Sequence, residues 1–439
     1  MAHSAPALLI AAPASGSGKT TITLALLRAL RRRGHRVGSF KVGPDYIDPA
    51  FHAAASGRAC SNLDPWAMRP DMQSAILQDV LADSDIVIGE GVMGLFDGAQ
   101  DGRGSTADVA ADWGIPLVLV VDAKGQAASV AALLQGFNSF RNDVRLSGVI
   151  FNKVGGPGHV RLLREAAEKA GILALGFLPR LDGLALDHRH LGLVQARENA
   201  ELNAFLDAAA DSIEAHCDLD ALLRTATTPC GLTPGSSKAA PLPPLGQKMA
   251  VAEDDAFAFT YPHLLAGWRN AGVELSFFSP LADEGPAAGS DAIFLPGGYP
   301  ELYCERLARA ENFKSALRSA AEASLSIYGE CGGFMVLGES LTDKAEQSHE
   351  MLGLLPVQTS FAAPKLHLGY RRAQLSNNSI LGNKNSSFTA HEFHYASITA
   401  ENAAPSLFDI CDARGIDLGS AGAIAGSIAG SFIHLIDKA

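Results

Sequence analysis

The sequence predicts an α/β protein of two doubly wound domains, an N-terminal P-loop parallel sheet and a C-terminal α/β domain. Three observations predict it. Short apolar runs alternate with helical ones through the first half, the pattern of a parallel sheet covered on both faces. A Gly-Ser-Gly-Lys-Thr loop joins the first run to the first helix. A stretch rich in proline, glycine, serine and threonine then interrupts the pattern before it resumes. The domains are placed at 1–224 and 247–439, with a linker at 225–246.

The first element is the apolar run Leu8–Ala12, too short for a helix and bounded by Pro13. A helix is expected from Thr20 to Arg33, with Ile22, Ala25, Leu26, Ala29 and Leu30 along one face. Arg31, Arg32 and Arg33 suit its negative end, and Gly34 suits a left-handed stop. The loop between them is built for phosphate. Gly16 and Gly18 let backbone N–H groups approach an anion at a helix N-terminus. Lys19 is expected at the outer phosphates and the Thr20 hydroxyl at magnesium. Pro13, which has no N–H, stands where the general pattern has glycine. Gly16, Ser17, Gly18, Lys19, Thr20 and Thr21 are therefore the expected ATP contacts.

Further strands are read at Val37–Val42, Asp85–Gly89, Leu117–Asp122, Gly148–Asn152 and Leu173–Leu178. In such sheets ligands lie beyond the carboxyl ends of the strands. KVGPDYIDPAFH follows the second strand, with Lys41, Asp45, Tyr46, Asp48 and His52. GEGVMGLFDG, with Glu90 and Asp97, follows the third. Asp45 and Glu90 join Thr20 as expected magnesium ligands, because strand-end carboxylates beside a phosphate loop suit that cation. Tyr46, Asp48 and Asp97 are assigned to substrate. Asn152, after the fifth strand, is expected at the adenine edge. In DHRHLGLVQARE, His188 and His190 lack an acid or cysteine at metal-ligand spacing, so a structural or substrate contact is expected, with His190 the substrate candidate.

Composition narrows the class. Of 439 residues, 47% are hydrophobic and 19% charged, which suits a folded α/β protein. A net charge of −12 argues against nucleic acid or an anionic membrane as partner. The six cysteines have neither zinc nor CxxC spacing. No signal peptide or membrane span is read, so a cytoplasmic location is expected.

After the linker a second α/β pattern starts with MAVAEDDAF, followed by a helix near Pro262–Asn270, a strand at Val273–Phe278 and AIFLPGGYPELY, read as a strand, Gly297-Gly298 and a helix opening at Pro300. The centre is SLSIYGECGGFMVLGES, where a strand at Leu325–Tyr328 enters Gly-Glu-Cys-Gly-Gly and a helix starts near Phe334. This is a nucleophile elbow with cysteine in the nucleophile's place. The following helix N-terminus is expected to favour the Cys331 thiolate. Backbone N–H groups of Gly297, Gly298 and Gly332 are the expected oxyanion hole. A thiolate of this kind needs a histidine, and sequence spacing leaves His391, His394 and His434 all open.

Taken together, APASGSGKTT, KVGPDYIDPAFH, EGVMGLFDG, HLGLVQARE, FLPGGYPELY, GECGGFMVLGE, LGLLP, HLGYR, AHEFHYA and GSFIHLID occur in this order. The chain thereby closely resembles the cobyrinate/hydrogenobyrinate a,c-diamide synthases of cobalamin biosynthesis, over nearly its whole length. APASGSGKTT, NKVG, FFSPLADEGP and HLID look most like the hydrogenobyrinate enzymes. The resemblance implies a dethiobiotin-synthetase-like ATP domain joined to a class I glutamine amidotransferase (flavodoxin-like) domain. It implies that His434 partners Cys331 and that His391 and His394 have other roles. The family lacks the usual His-x-Glu acid, and Ile436 occupies that spacing here, so what orients His434 is open.

The expected chemistry follows. ATP with magnesium converts peripheral acetates of a corrin ring to acyl phosphates, and ammonia released from glutamine by Cys331 amidates the a and c side chains. Cobalt-containing cobyrinic acid is the alternative substrate, and a homodimer is one oligomer left open. A P-loop switch ATPase and a ligase using free ammonia are the readings from other classes.

Overall fold

The computed structural model describes residues 4–180, 188–189, 192–193, 195–233, 240–401 and 404–439. The chain divides into two compact units, residues 1–66 with 70–237 and residues 67–69 with 238–439.

The first unit is built on seven strands, β1 (Ala7–Ala11), β2 (Val37–Val42), β3 (Cys60–Leu63), β4 (Ile86–Glu90), β5 (Leu117–Asp122), β6 (Leu146–Val154) and β7 (Ala174–Pro179). Their order is β3-β2-β4-β1-β5-β6-β7, and every pairing is parallel. Strands β1, β2 and β4 are buried along their whole length. That is why the sequence shows continuous apolar runs instead of alternation. Edge strand β3, CSNL, is too short and polar for its periodicity to announce it. The order reverses around β1, so the turns leaving β1, β2 and β4 gather at one carboxyl edge. Register aligns Ile10 and Lys41 with Glu90, which ends β4 instead of following it as a loop residue.

Helix α1 (Lys19–Arg32) begins one residue earlier than its apolar spacing suggests. It buries a wide stripe from Ile22 to Leu30 because it lies between the sheet and the helix Leu202–His216. Each leucine so buried contributes roughly 1.5–3 kcal/mol. The basic run at its end is engaged with that second helix: Arg28 pairs with Asp207 at 2.8 Å and Arg32 with Asp211 at 2.7 Å. Gly34, at φ 89°, turns the chain out of the helix.

The second unit has a six-stranded sheet in the order Glu274–Phe278, Lys248–Ala252, Ala292–Leu295, Ser326–Glu330, Ile428–Ser431 and Ala423–Ala425. The first five strands are parallel and the last is antiparallel. Beside it lie a four-stranded mixed sheet and a five-stranded antiparallel sheet, both absent from the sequence reading. The five-stranded sheet runs Asp417–Ala421, Phe408–Asp412, His367–Leu375, Ser387–His394 and Ile433–Lys438. The chain thus leaves the parallel sheet at Ser431 and enters the antiparallel one at Ile433. Among the described residues no helix is long and apolar enough to cross a membrane.

Candidate functional site

Phosphate-loop geometry follows from its glycines. Gly16 and Gly18 have φ of 80° and 91°, left-handed values that side chains rarely adopt. A Cβ at Gly18 would stand 2.1 Å from Asn152 Nδ2. That amide donates to the Ser17 carbonyl at 3.0 Å, and its oxygen accepts from Lys153 N–H at 2.9 Å. Asn152, expected at an adenine edge, is therefore engaged at both ends in buttressing the loop. Ser17 Oγ donates to the Ala14 carbonyl at 2.8 Å, closing the turn from the other side.

Behind the loop lies a buried ionic cluster. Thr20 Oγ1 donates to Glu90 Oε1 at 2.6 Å. Lys41 Nζ reaches the same oxygen at 2.8 Å and Asp48 Oδ2 at 2.5 Å, while His52 Nε2 lies 2.7 Å from Glu90 Oε2. Burial alone would drive the Lys41 ammonium neutral, but Asp48, Glu90 and Asp45 outweigh it and hold Lys41 charged. Burial likewise opposes the Glu90 charge, and Lys41, His52 and Lys19 overcome it, so its pKa is lowered. Lys19 rests its ammonium 3.5 Å from the Met93 carbonyl. Burial, then Lys41, lowers its pKa against the pull of the three acids. A mobile phosphate would find Lys19 beside an anion-depleted loop, which is the chemistry of a nucleotide site.

The remaining candidates are scattered by comparison. Asp45 Oδ1 accepts the N–H groups of Ile47 and Asp48 at 2.8 and 2.9 Å, fixing the turn before the helix Asp48–Ser56. Tyr46 is half-buried in that turn, and Thr21 is half-buried on α1. Asp97 is exposed and caps its own loop by accepting from Gly94 N–H at 2.8 Å. His190 lies outside the described residues. Lys41 and His52 carried no role in the sequence reading. A lysine between Phe40 and Val42 in an expected sheet strand was the available signal for the first of them.

In the second unit the strand Ser326–Glu330 runs into Cys331 and then the short helix Gly332–Leu337, which starts earlier than the expected Phe334. Cys331 has φ 46° and ψ −101°, a strained backbone that turns its side chain out of the strand. Its amide donates to the Ser431 carbonyl at 2.8 Å. The strand Ile433–Lys438 then delivers His434, fully buried, to the same place. A Cβ built on Gly297 would stand 2.4 Å from His434 Cε1, 3.2 Å from its Nε2 and 3.3 Å from Cys331 Cβ. One built on Gly332 would meet Gly298 N at 3.0 Å. Cys331, His434, Gly297, Gly298 and Gly332 therefore converge on one point.

Electrostatics correct one expectation. The Cys331 thiol is not poised as thiolate: burial raises its pKa, Glu301 adds to this, and the Gly332 N–H offsets only part. The helix that follows is too short, and the site too dry, for its N-terminus to prevail. His434 is pushed down to about 3 by burial and by His391 and His394, so it rests neutral. The resting pair is neutral thiol and neutral imidazole.

His391 lies opposite His434 in the strand register, with its ring edge-on to Tyr370. His394 instead belongs to a network: Nε2 lies 2.9 Å from Glu392 Oε1, whose other oxygen is 2.6 Å from Arg371. His367, Glu392 and His394 are close enough together to suggest metal ligands. However, the two rings stack at an interplanar angle of 2°, which sends their in-plane lone pairs along parallel planes and not to one ion. Arg371 also holds the carboxylate. The group is a hydrogen-bonded network centred on Glu392.

Comparisons with known proteins agree with this two-part geometry. Residues 8–193 match the CobQ/CobB/MinD/ParA nucleotide binding domain, and residues 248–439 match the CobB/CobQ-like glutamine amidotransferase domain. Proteins named hydrogenobyrinate a,c-diamide synthase are similar end to end. That of Brucella abortus is 55% identical over 432 residues, covering 98% of each chain. The Rhizobium meliloti protein is 53% identical over 430 residues, covering 98% of this chain and 99% of its own. The Rhodobacter capsulatus protein is 50% identical over 441 residues, covering 99% of this chain and all of its own. With both domains matched and half the residues shared along the full length, the chain belongs to the hydrogenobyrinate a,c-diamide synthase family.

Proposed function

We propose that this protein uses ATP and glutamine to convert hydrogenobyrinic acid into its a,c-diamide in cobalamin biosynthesis. The observation that carries the reading is the 55% identity running through both domains, each with its own converging site. A carboxylate resists amidation because its leaving group would be oxide. The N-terminal unit therefore transfers the γ-phosphoryl group of ATP to an acetate oxygen, forming an acyl phosphate. Ammonia adds to that carbonyl, and inorganic phosphate leaves as the amide forms. Loop amides around Gly16–Gly18 and the Lys19 ammonium stabilise the charge on the transferring group. Two rounds give the diamide.

The Thr20 hydroxyl is a hard oxygen donor of the kind magnesium takes. Both Glu90 oxygens are already engaged by Thr20, Lys41 and His52, so Glu90, like Asp45 on the neighbouring turn, would serve magnesium from behind Thr20 or through water. Magnesium bound there would neutralise phosphate charge. Lys41 keeps the Glu90 carboxylate ionised, and Tyr46, Asp97 and His190 are kept as substrate candidates, while Asp48 is committed to Lys41.

In the second unit, His434 takes the Cys331 proton as sulfur attacks the glutamine amide carbon. The oxyanion meets the N–H groups of Gly298 and Gly332, with Gly297 leaving room for the ring. His434 then returns the proton to the departing ammonia, and water hydrolyses the thioester to glutamate.

Purified protein supplied with ATP, magnesium and glutamine is expected to turn hydrogenobyrinic acid into the diamide, read by mass spectrometry, faster than it turns over cobyrinic acid. Chelating magnesium is expected to halt synthesis. Preference for cobyrinic acid would reassign the substrate, and ATP hydrolysis without amidation would favour the switch-ATPase reading. A steric test is available as well. Gly297→Ala is expected to displace His434 and lower glutamine-dependent turnover by about 10²-fold while sparing ammonium-dependent synthesis. Unchanged glutamine turnover would separate Gly297 from the site.

A further inference from the structure

The family pattern leaves His434 without the acid two residues downstream, and here that position holds Ile436, an apolar residue that is fully buried. The next acid along, Asp437, is committed elsewhere: its oxygens accept from the Arg69 backbone and guanidinium at 2.9–3.1 Å. Glu392 is held by Arg371 and His394. A third carboxyl does reach the ring. Glu330, immediately before Cys331, places Oε2 3.7 Å from His434 Nδ1.

This approach is fixed from both ends. Glu330 ends the strand Ser326–Glu330 and pairs in register with Ser431, three residues before the histidine. Its other oxygen, Oε1, accepts the N–H of Leu435 at 3.1 Å, the residue directly after the histidine. The carboxyl therefore straddles His434, bonded to the backbone on one side and facing the ring on the other. Only 2% of Glu330 is exposed. Such burial of an acid costs free energy that an apolar side chain would not incur. The cost shows in its titration: burial raises its pKa to about 8, against the pull of the Leu435 N–H and the Tyr328 hydroxyl.

We propose that Glu330 is the positioning residue for His434, accepting from Nδ1–H and so holding the ring in the tautomer whose Nε2 lone pair faces Cys331. The inference rests on the assignment of Cys331 and His434 to glutamine hydrolysis. The acid of the triad is then supplied from beside the nucleophile instead of from beyond the base. Because Oε1 is committed to Leu435, Oε2 is the atom that serves the ring. The resting separation closes to hydrogen-bond range with a shift of under about 1 Å, a tightening common when substrate fills a site. As Nε2 takes the thiol proton, the imidazolium forms against this oxygen, which stabilises it as the carboxylate; the new positive charge favours that ionised form against the burial that raises its pKa.

Glu330→Gln tests this with the shape kept. Leu435 N–H would claim the amide oxygen and leave the NH₂ facing Nδ1, which favours the tautomer with hydrogen on Nε2, the wrong one for a base. The expected result is a glutaminase kcat lower by at least about 10²-fold, with KM for glutamine, ammonium-dependent synthesis and the unfolding temperature unchanged. A kcat within about twofold of the parent, in a preparation whose Cys331→Ser variant is inactive with glutamine, would overturn the positioning role and leave the pair intact. Equal loss with glutamine and ammonium would also overturn it, marking Glu330 as structural. Full glutamine use by Cys331→Ser would remove the pair itself and this inference with it.

Discussion

Cys331→Ser is expected to abolish glutamine-dependent amidation while synthesis from concentrated ammonium salt continues. The loss should reach at least about 10³-fold in kcat, about 4 kcal/mol in the transition state. The reason lies in the dry, uncharged state of the pair. Burial already keeps the thiol protonated, so attack depends on sulfur's intrinsic nucleophilicity and on a single neutral imidazole. A hydroxyl ionises far less readily, and a single buried imidazole is too weak a base to make up the difference. Thioester trapping with labelled glutamine, run beside the ammonium assay, checks both halves. Loss of both nitrogen sources in a folded variant would place Cys331 in the synthetase reaction instead.

Lys19→Ala is expected to give the mirror image: synthesis fails from glutamine and from ammonium alike, because both need the acyl phosphate. A fall of about 10²–10³-fold, about 3–4 kcal/mol, is the scale for removing one preorganised charge from a transferring phosphoryl group. The fold should not suffer. The Lys19 ammonium holds only a 3.5 Å contact to the Met93 carbonyl, and burial already disfavours its charge. Thermal unfolding and steady-state synthesis measured together distinguish lost chemistry from lost structure. Near-normal turnover would end the phosphate-loop assignment.

The two variants differ in how legible their sites were. Local chemistry carried the phosphate loop: the glycines, Lys19 and Thr20 are consecutive, and a buried strand before them and an amphipathic helix after them fix their arrangement. The elbow at Cys331 was legible for the same reason, since flanking glycines permit its strained φ. The buttressing contact of Asn152 was not legible, because nothing near it in the chain reveals that its amide spans to Ser17. The thiolate expectation failed because helix placement is a local property, whereas desolvation is set by everything packed around the sulfur.

By itself the sequence determined the two-domain α/β organisation, the glycine-rich loop between β1 and α1 and the cysteine elbow of the second unit. All of these rest on periodicity and on glycine positions, whose physics acts within a few residues. Tertiary structure decided which side chains meet. Strand order brings Lys41 and His52 to Glu90, and the register of Glu330 with Ser431 puts a carboxyl beside His434. It also decided the charge states, because burial competes with neighbouring charges only after distant segments have packed, as at Lys41, Cys331 and His434.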